Sequence, residues 1–209
     1  MPDVPETEDV EEGPGKVSEA PPKRSLLANI AWGIFDFLKT VVIIVGIAFA
    51  IRAFLIQPFI VEGQSMEPNF ENNNYLITEK VSYRLHAPQR GDIIIFHPPG
   101  DDEINYIKRV IGVPGDHIQI KSGSVLVNGK KISEPYLESD EQTLVGKSEF
   151  SDITLADNQF FLMGDNRNHS RDSREIGVVG KDRIISRIWF RLLPVNEIKA
   201  FAHVNYPSN

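Results

Sequence analysis

The strongest feature of the hydropathy pattern is an unbroken apolar run over residues 40–51, rich in valine, isoleucine and alanine. A helix of that length rises only about 18 Å, short of a hydrocarbon core of about 30 Å, so the apolar length must be extended. Phe35, Phe37 and Leu38 extend it on one side, with Asp36 and Lys39 near the interface. Ala53, Phe54, Leu55 and Ile56 extend it on the other, beyond an Arg52 able to snorkel into the polar layer. Pro58 then ends the helix. This predicts a membrane anchor over residues 25–57, spanning about residues 35–56. Two other readings compete: a secretory leader cut after Ala48-Phe49-Ala50, and a buried amphipathic core helix. Against removal, the apolar run continues past Ala50 and the leader would be long and acidic. Lys23, Arg24 and Lys39 precede the span and only Arg52 follows it closely, so the charge bias places the N-terminus in the cytoplasm and the rest outside.

Before the span, residues 1–22 combine Asp3, Glu6, Glu8, Asp9, Glu11, Glu12 and Glu19 with prolines and almost nothing apolar. They cannot bury enough surface to offset the entropy of ordering, and residues 1–24 read as a disordered acidic tail. From Phe59 onward the pattern changes to short β-type segments at residues 75–80, 92–97, 106–113, 117–121, 159–163 and 184–193. Asn128-Gly129 between residues 124–127 and 130–132 reads as a hairpin turn. The expected fold class is mostly β: an antiparallel β domain over residues 58–209, preceded by one transmembrane helix and the acidic tail.

Composition narrows the function. A formal net charge of −7 and a pI near 5.3 in 209 residues argue against a nucleic-acid partner. The lack of cysteine excludes a disulfide framework, a thiolate nucleophile and cysteine-ligated zinc.

Three stretches carry candidate chemistry. Gly63-Gln64-Ser65-Met66-Glu67-Pro68 follows the span closely. Lys108 lies in YIKRVIGVPGD, residues 106–116, among the apolar Tyr106, Ile107, Val110 and Ile111. GDNRNHSRDSREIG, residues 164–177, concentrates Asp165, Arg167, Ser170, Asp172 and Arg174. Taken singly, these read as a surface serine, a snorkelling lysine and a polar loop with salt bridges. In this order beside a span, the chain from about Arg52 to Leu193 resembles the type I signal peptidases, Ser/Lys proteases that remove signal peptides from exported proteins.

The resemblance implies Ser65 as nucleophile, Lys108 as the base that later protonates the leaving amine, and Ser170 as a hydroxyl orienting that amine. It implies that Arg109, Asp165, Arg167, Asp172 and Arg174 support the loop, with Asp165 pairing with Arg109 and Asp172 with Arg174. A free lysine, with a pKa of about 10.4, is neutral in only about one amine in 2,500 at pH 7, so the base must be desolvated. His86, His97, His117, His169 and His203 are then not needed for catalysis. The Ser65 N–H is the first oxyanion donor. Many members carry a serine at the position of Gly63; here it reads as a vacant donor site, the alternative being a backbone requirement for glycine. The substrates implied are signal peptides of exported preproteins with small residues at the first and third positions before the cut. They would bind extended along residues 59–62 and 105–108, with Phe59, Val61, Tyr106 and Ile107 forming the binding surface. The implied setting is the plasma membrane: a single pass in the lipid bilayer, with the catalytic domain on the outer face and no cofactor or metal. Residues 134–158 read as a short polar link where large members carry a second domain. Trp189 and Phe190 read either as core or as contacts to the outer leaflet. Competing functions are a self-cleaving Ser/Lys repressor-type protease, a membrane-tethered binding module, and a metal site at Asp101, Asp102 and Glu103.

Overall fold

The computed structural model describes residues 26–54, 56–137 and 142–201. The acidic tail expected over residues 1–24, Leu55 and His203 lie outside them. The first element, α1 (Leu26–Phe54), lies within the anchor segment expected over residues 25–57, starting before and ending short of the span expected at about 35–56. Its apolar stretch, Asn29–Arg52, has 24 residues, a rise of about 36 Å that exceeds a hydrocarbon core of about 30 Å. Ile30, Trp32 and Ile34 add apolar length before the uniform run, and Ala53 and Phe54 continue the helix after Arg52. Asp36 and Lys39, expected near the interface, lie within the helix. They pair with each other at 2.8 Å, and the Thr40 hydroxyl donates to the Asp36 carbonyl at 2.8 Å, so these polar groups find partners within the helix itself.

The helix is not ended by Pro58. It stops at Phe54, and Ile56 and Pro58 belong to β1 (Ile56–Ile60). The apolar run crosses from helix to strand without a hydropathy break. Pro58 is tolerated because β1 is an edge strand, paired among the described residues on one side only, to β2 (Tyr75–Glu79).

The remaining elements are α2 (Ser82–Leu85), β3 (Ile93–Phe96), β4 (Tyr106–Gly112), β5 (His117–Lys121), β6 (Ser124–Val127) and β7 (Lys130–Lys131), followed by β8 (Asp152–Thr154), β9 (Gln159–Met163), α3 (Ser173–Ile176), β10 (Val179–Gly180), β11 (Ile184–Leu193) and β12 (Lys199–Ala200). Every strand pairing among the described residues is antiparallel. The larger sheet runs β1-β2-β11-β3-β4-β9-β10, with β12 added to β11, and the smaller runs β7-β6-β5-β8. The β6–β7 turn has Asn128 and Gly129 at φ of 53° and 79°, the positive values that an Asn-Gly hairpin supplies.

Strand β3 is apolar throughout because both its faces are covered. Ile93 and Ile95 pack with Met66, Phe70, Ile107 and Ile188, whereas Ile94 and Phe96 pack with Val110, Phe160, Leu162 and Val179. A third cluster joins the two sheets: Ile111, Phe161 and Met163 of the larger meet Ile118, Ile120, Val125 and Val127 of the smaller, together with Leu155. Along β11, Trp189 is 43% exposed and Phe190 half-buried.

The segment over residues 134–158 is more than a polar link. It contributes β8, which closes the smaller sheet against β5, and Leu155, which is buried and exchanges backbone bonds with Asp116 and Gly115. Leu155→Ala is therefore expected to destabilise the domain by about 2–5 kcal/mol. Leu144→Ala in the same segment, at a side chain 59% exposed, should stay within about 0.5 kcal/mol. Urea midpoints of the two variants test the difference.

Candidate active site

The nucleophile candidate sits in the loop between β1 and β2. Met66 and Phe70 are buried in the core, and the Phe70 N–H bonds the Met66 carbonyl at 2.9 Å. Val61 and Asn74 close the base of the loop at 3.0 Å. Ser65, half-buried, is thereby held by its apolar neighbours at the rim. Across from it, β4 carries Lys108, 3% exposed, whose Nζ donates to Ser65 Oγ at 2.8 Å and to the Ile107 carbonyl at 2.9 Å. Burial lowers the pKa of Lys108 from 10.5 to about 8, the Asp172 and Asp165 carboxylates opposing the shift and Arg174 assisting it. At pH 7 about one amine in ten is then neutral, instead of about one in several thousand.

The loop after β9 grips the Ser65 backbone. Asn166 N–H donates to the Ser65 carbonyl at 3.1 Å and its side chain to the Gln64 carbonyl at 3.1 Å. Glycine is required at residue 164 by close approach: an added Cβ would stand 2.4 Å from the Ser65 carbonyl oxygen and 2.2 Å from Ser170 Oγ. Three buried ion pairs fix this loop. Asp165 receives Arg109 through both oxygens, at 2.8 and 2.6 Å. Asp172 receives Arg174 at 2.8 Å through each oxygen and also accepts from the Gly164 N–H at 3.0 Å. Arg167, fully buried, bonds Glu134, Thr143 and the Gly164 carbonyl.

Ser170 differs from expectation. Its Oγ is buried against Gly164 and has no hydrogen-bond partner among the described residues, and the bond expected to the Lys108 amine is not formed. The amine instead uses the Ile107 carbonyl and Ser65. Asn166, Glu134, Thr143 and Asn69, which donates to Asp165 at 3.0 Å, were missed from the sequence. Only Asn166, inside the quoted motif, carried a local signal.

A cleft of about 580 Å³ opens beside Ser65 and Lys108, lined by Phe59, Val61, Glu62, Leu76, Ile95, Glu103, Ile104, Tyr106, Ile107 and Arg171 among others. All four residues expected to bind substrate, Phe59, Val61, Tyr106 and Ile107, border it. The profile of the family described as "Signal peptidase, peptidase S26" matches residues 34–193. The chain belongs to the signal peptidase family. It is 39% identical over 173 residues to signal peptidase I of Bacillus licheniformis, covering 79% of this chain and 92% of that one. It is also 36% identical over 188 residues to signal peptidase I T of Bacillus subtilis, covering 87% and 94% respectively. With a probable signal peptidase I-2 of Synechocystis, it shares 34% identity over 197 residues, covering 92% and 84%.

The metal reading of Asp101, Asp102 and Glu103 does not fit this signal peptidase fold. Asp101 caps its own loop by accepting from the Glu103 and Ile104 N–H groups, at 2.9 and 3.2 Å, while Asp102 pairs with Arg183. No group of three or more metal-ligating side chains occurs among the described residues. His97, His117 and His169 are partnered by Ile104, Asp152 and Asn166, and among the described residues none of the three bonds Ser65 or Lys108.

Gly63 also departs from the vacant-donor reading. Its φ is 94°, and its N–H donates to Asn72 Oδ1 at 2.9 Å. A Cβ there meets no atom within 4 Å, so space is not the obstacle. The backbone conformation is one that side-chain-bearing residues adopt only at a cost of about 1–3 kcal/mol. Gly63→Ser and Gly63→Ala are therefore expected to lower unfolding free energy by similar amounts in that range, measured by urea titration. A loss confined to one of them would point to the side chain instead.

Proposed function

We propose that Ser65 and Lys108 form the catalytic dyad of a membrane-anchored signal peptidase. The observation that carries the reading is the 2.8 Å contact between a buried lysine amine and a serine hydroxyl at the head of an apolar cleft. The family's activity is the removal of signal peptides from preproteins by a serine endopeptidase. When the amine is neutral, the hydrogen bond reverses: Ser65 O–H donates to the Lys108 lone pair, and the remaining amine hydrogens are free to hold the Ile107 carbonyl. Ser65 Oγ then attacks the scissile carbonyl as its proton passes to Lys108. The oxyanion forms beside the Ser65 N–H, which donates to no described residue. Lys108 returns the proton to the leaving amine, and in the second half takes one from the water that hydrolyses the acyl-enzyme. Ser170 Oγ, buried beside Gly164 and the Ser65 carbonyl, is the second hydroxyl available to orient the amine.

The substrate lies extended between residues 59–62 and 105–108, where β1 offers an unpaired edge. Small side chains before the cut fit between Val61 and Ile107. The chain divides into a cytoplasmic tail at residues 1–24, a single-pass anchor at residues 25–57 and a catalytic domain at residues 58–209 on the outer face. The charge bias of Lys23, Arg24 and Lys39 supports this orientation. Exposed Trp189, Leu192, Leu193 and Val195 form an apolar surface suited to the lipid interface.

Cleavage of a signal-peptide-bearing precursor by the detergent-solubilised protein tests the dyad. Ser65→Ala, Lys108→Met and Lys108→Arg should each lose at least about 10³-fold in kcat/KM, the arginine because guanidinium stays protonated. In the unmodified protein the active form carries a neutral amine, and its fraction grows as pH rises. kcat/KM should therefore increase tenfold per unit below about pH 8 and level off above it. A plateau already reached by pH 6 would remove Lys108 as base. Protease added outside sealed right-side-out vesicles should digest the domain containing Ser65; protection there would reverse the topology.

A further inference from the structure

We propose that Arg171 reads the charge of the residue immediately after the scissile bond and favours an acidic one, an inference that rests on the peptidase reading of the same cleft. Arg171 is exposed and lines the cleft together with Ser65 and Lys108. The other three arginines near the site, Arg109, Arg167 and Arg174, are buried and spent on Asp165, Glu134 and Asp172. Arg171 has no such partner among the described residues, so its guanidinium faces whatever occupies the cleft.

Its place along the cleft follows from its neighbours. Ser170 Oγ and the Ser65 carbonyl crowd the same point above Gly164, and Asn166 of the same loop bonds that carbonyl at 3.1 Å. Arg171, the next residue after Ser170, therefore enters at the nucleophile end. It belongs to neither wall. The walls, residues 59–62 and 103–107, lead up to Ser65 and Lys108 and flank the part of the peptide that precedes the cut. Their exposed charges are Glu62 and Glu103, which repel an acidic side chain on that side. Of the residues lining the cleft, Arg171 is the cation besides Lys108, and its place next to Ser170 puts it past Ser65, where the leaving segment emerges. The cleft thus carries negative charge before the cut and positive charge after it.

The test uses the detergent-solubilised full chain and peptides identical except for Asp, Ser or Lys at the first position after the cut. The unmodified protein should favour Asp over Lys by about fivefold in kcat/KM, the scale of an exposed ion pair, and the ratio should shrink as salt is raised from 0.05 to 0.5 M, as screening requires. Arg171→Lys should keep the preference, Arg171→Gln should bring the ratio near one, and Arg171→Glu should invert it. A ratio unchanged in Arg171→Glu overturns the proposal, as does a preference that salt does not move. A charge preference found only when the substitutions are placed before the cut overturns it as well. Equal cleavage of the peptides by parent and Ser65→Ala would instead overturn the peptidase reading, and this inference with it.

Discussion

A lysine amine buried beside a serine hydroxyl is useful only while its surroundings disfavour the ammonium, and two carboxylates close to Lys108 work against that. Asp165 and Asp172 both pull its pKa upward. Each is occupied by an arginine through both of its oxygens, Arg109 and Arg174. Both arginines tie the loop to its neighbours, and Arg174 also offsets negative charge that would otherwise restore the proton to Lys108. Removing either arginine would leave a buried carboxylate unpaired, and at Arg174 structural and electrostatic roles cannot be separated.

The same economy links the smaller sheet to the site. Residues between β7 and β8 supply Glu134 and Thr143 to Arg167, the Leu144 carbonyl to Arg174, and the Tyr136 ring, which lies 3.9 Å from the Arg109 guanidinium. Three arginines from two distant stretches of chain are thus seated by one connecting segment. The Ser65 backbone is in turn held from that loop through Asn166. Packing between the sheets, through Ile111, Ile118 and Leu155, is the apolar base on which these polar contacts rest.

Much of this was legible in the sequence, for reasons that differ by element. Strands β5 and β6 are short apolar alternations ended by turn residues, and β3 is a continuous apolar run, so periodicity and length found them. The motifs around Ser65, Lys108 and Asp165 were recognisable because their residue types are fixed at close spacing. The border between α1 and β1 was not, because Leu55 and Ile56 continue the apolar run and Pro58 fits an edge strand as well as a helix end. Nor were Glu134 and Thr143, which lie far along the chain from Arg167 and belong to no local pattern. The positive φ of Gly63 is a property of the loop closed by Asn72 and Asn74, and a glycine letter alone does not distinguish it from an empty side-chain position.

Strand β1 borders the cleft and is also the edge of the larger sheet. An edge left open for transient partners is equally open to a second copy of the same chain, the usual route to irreversible strand-by-strand association. Here the edge is five residues long and contains a proline, which removes one donor from the ladder. A strand added to it is held by few backbone bonds. Weak holding of this kind limits strand-by-strand association with a second copy of the chain.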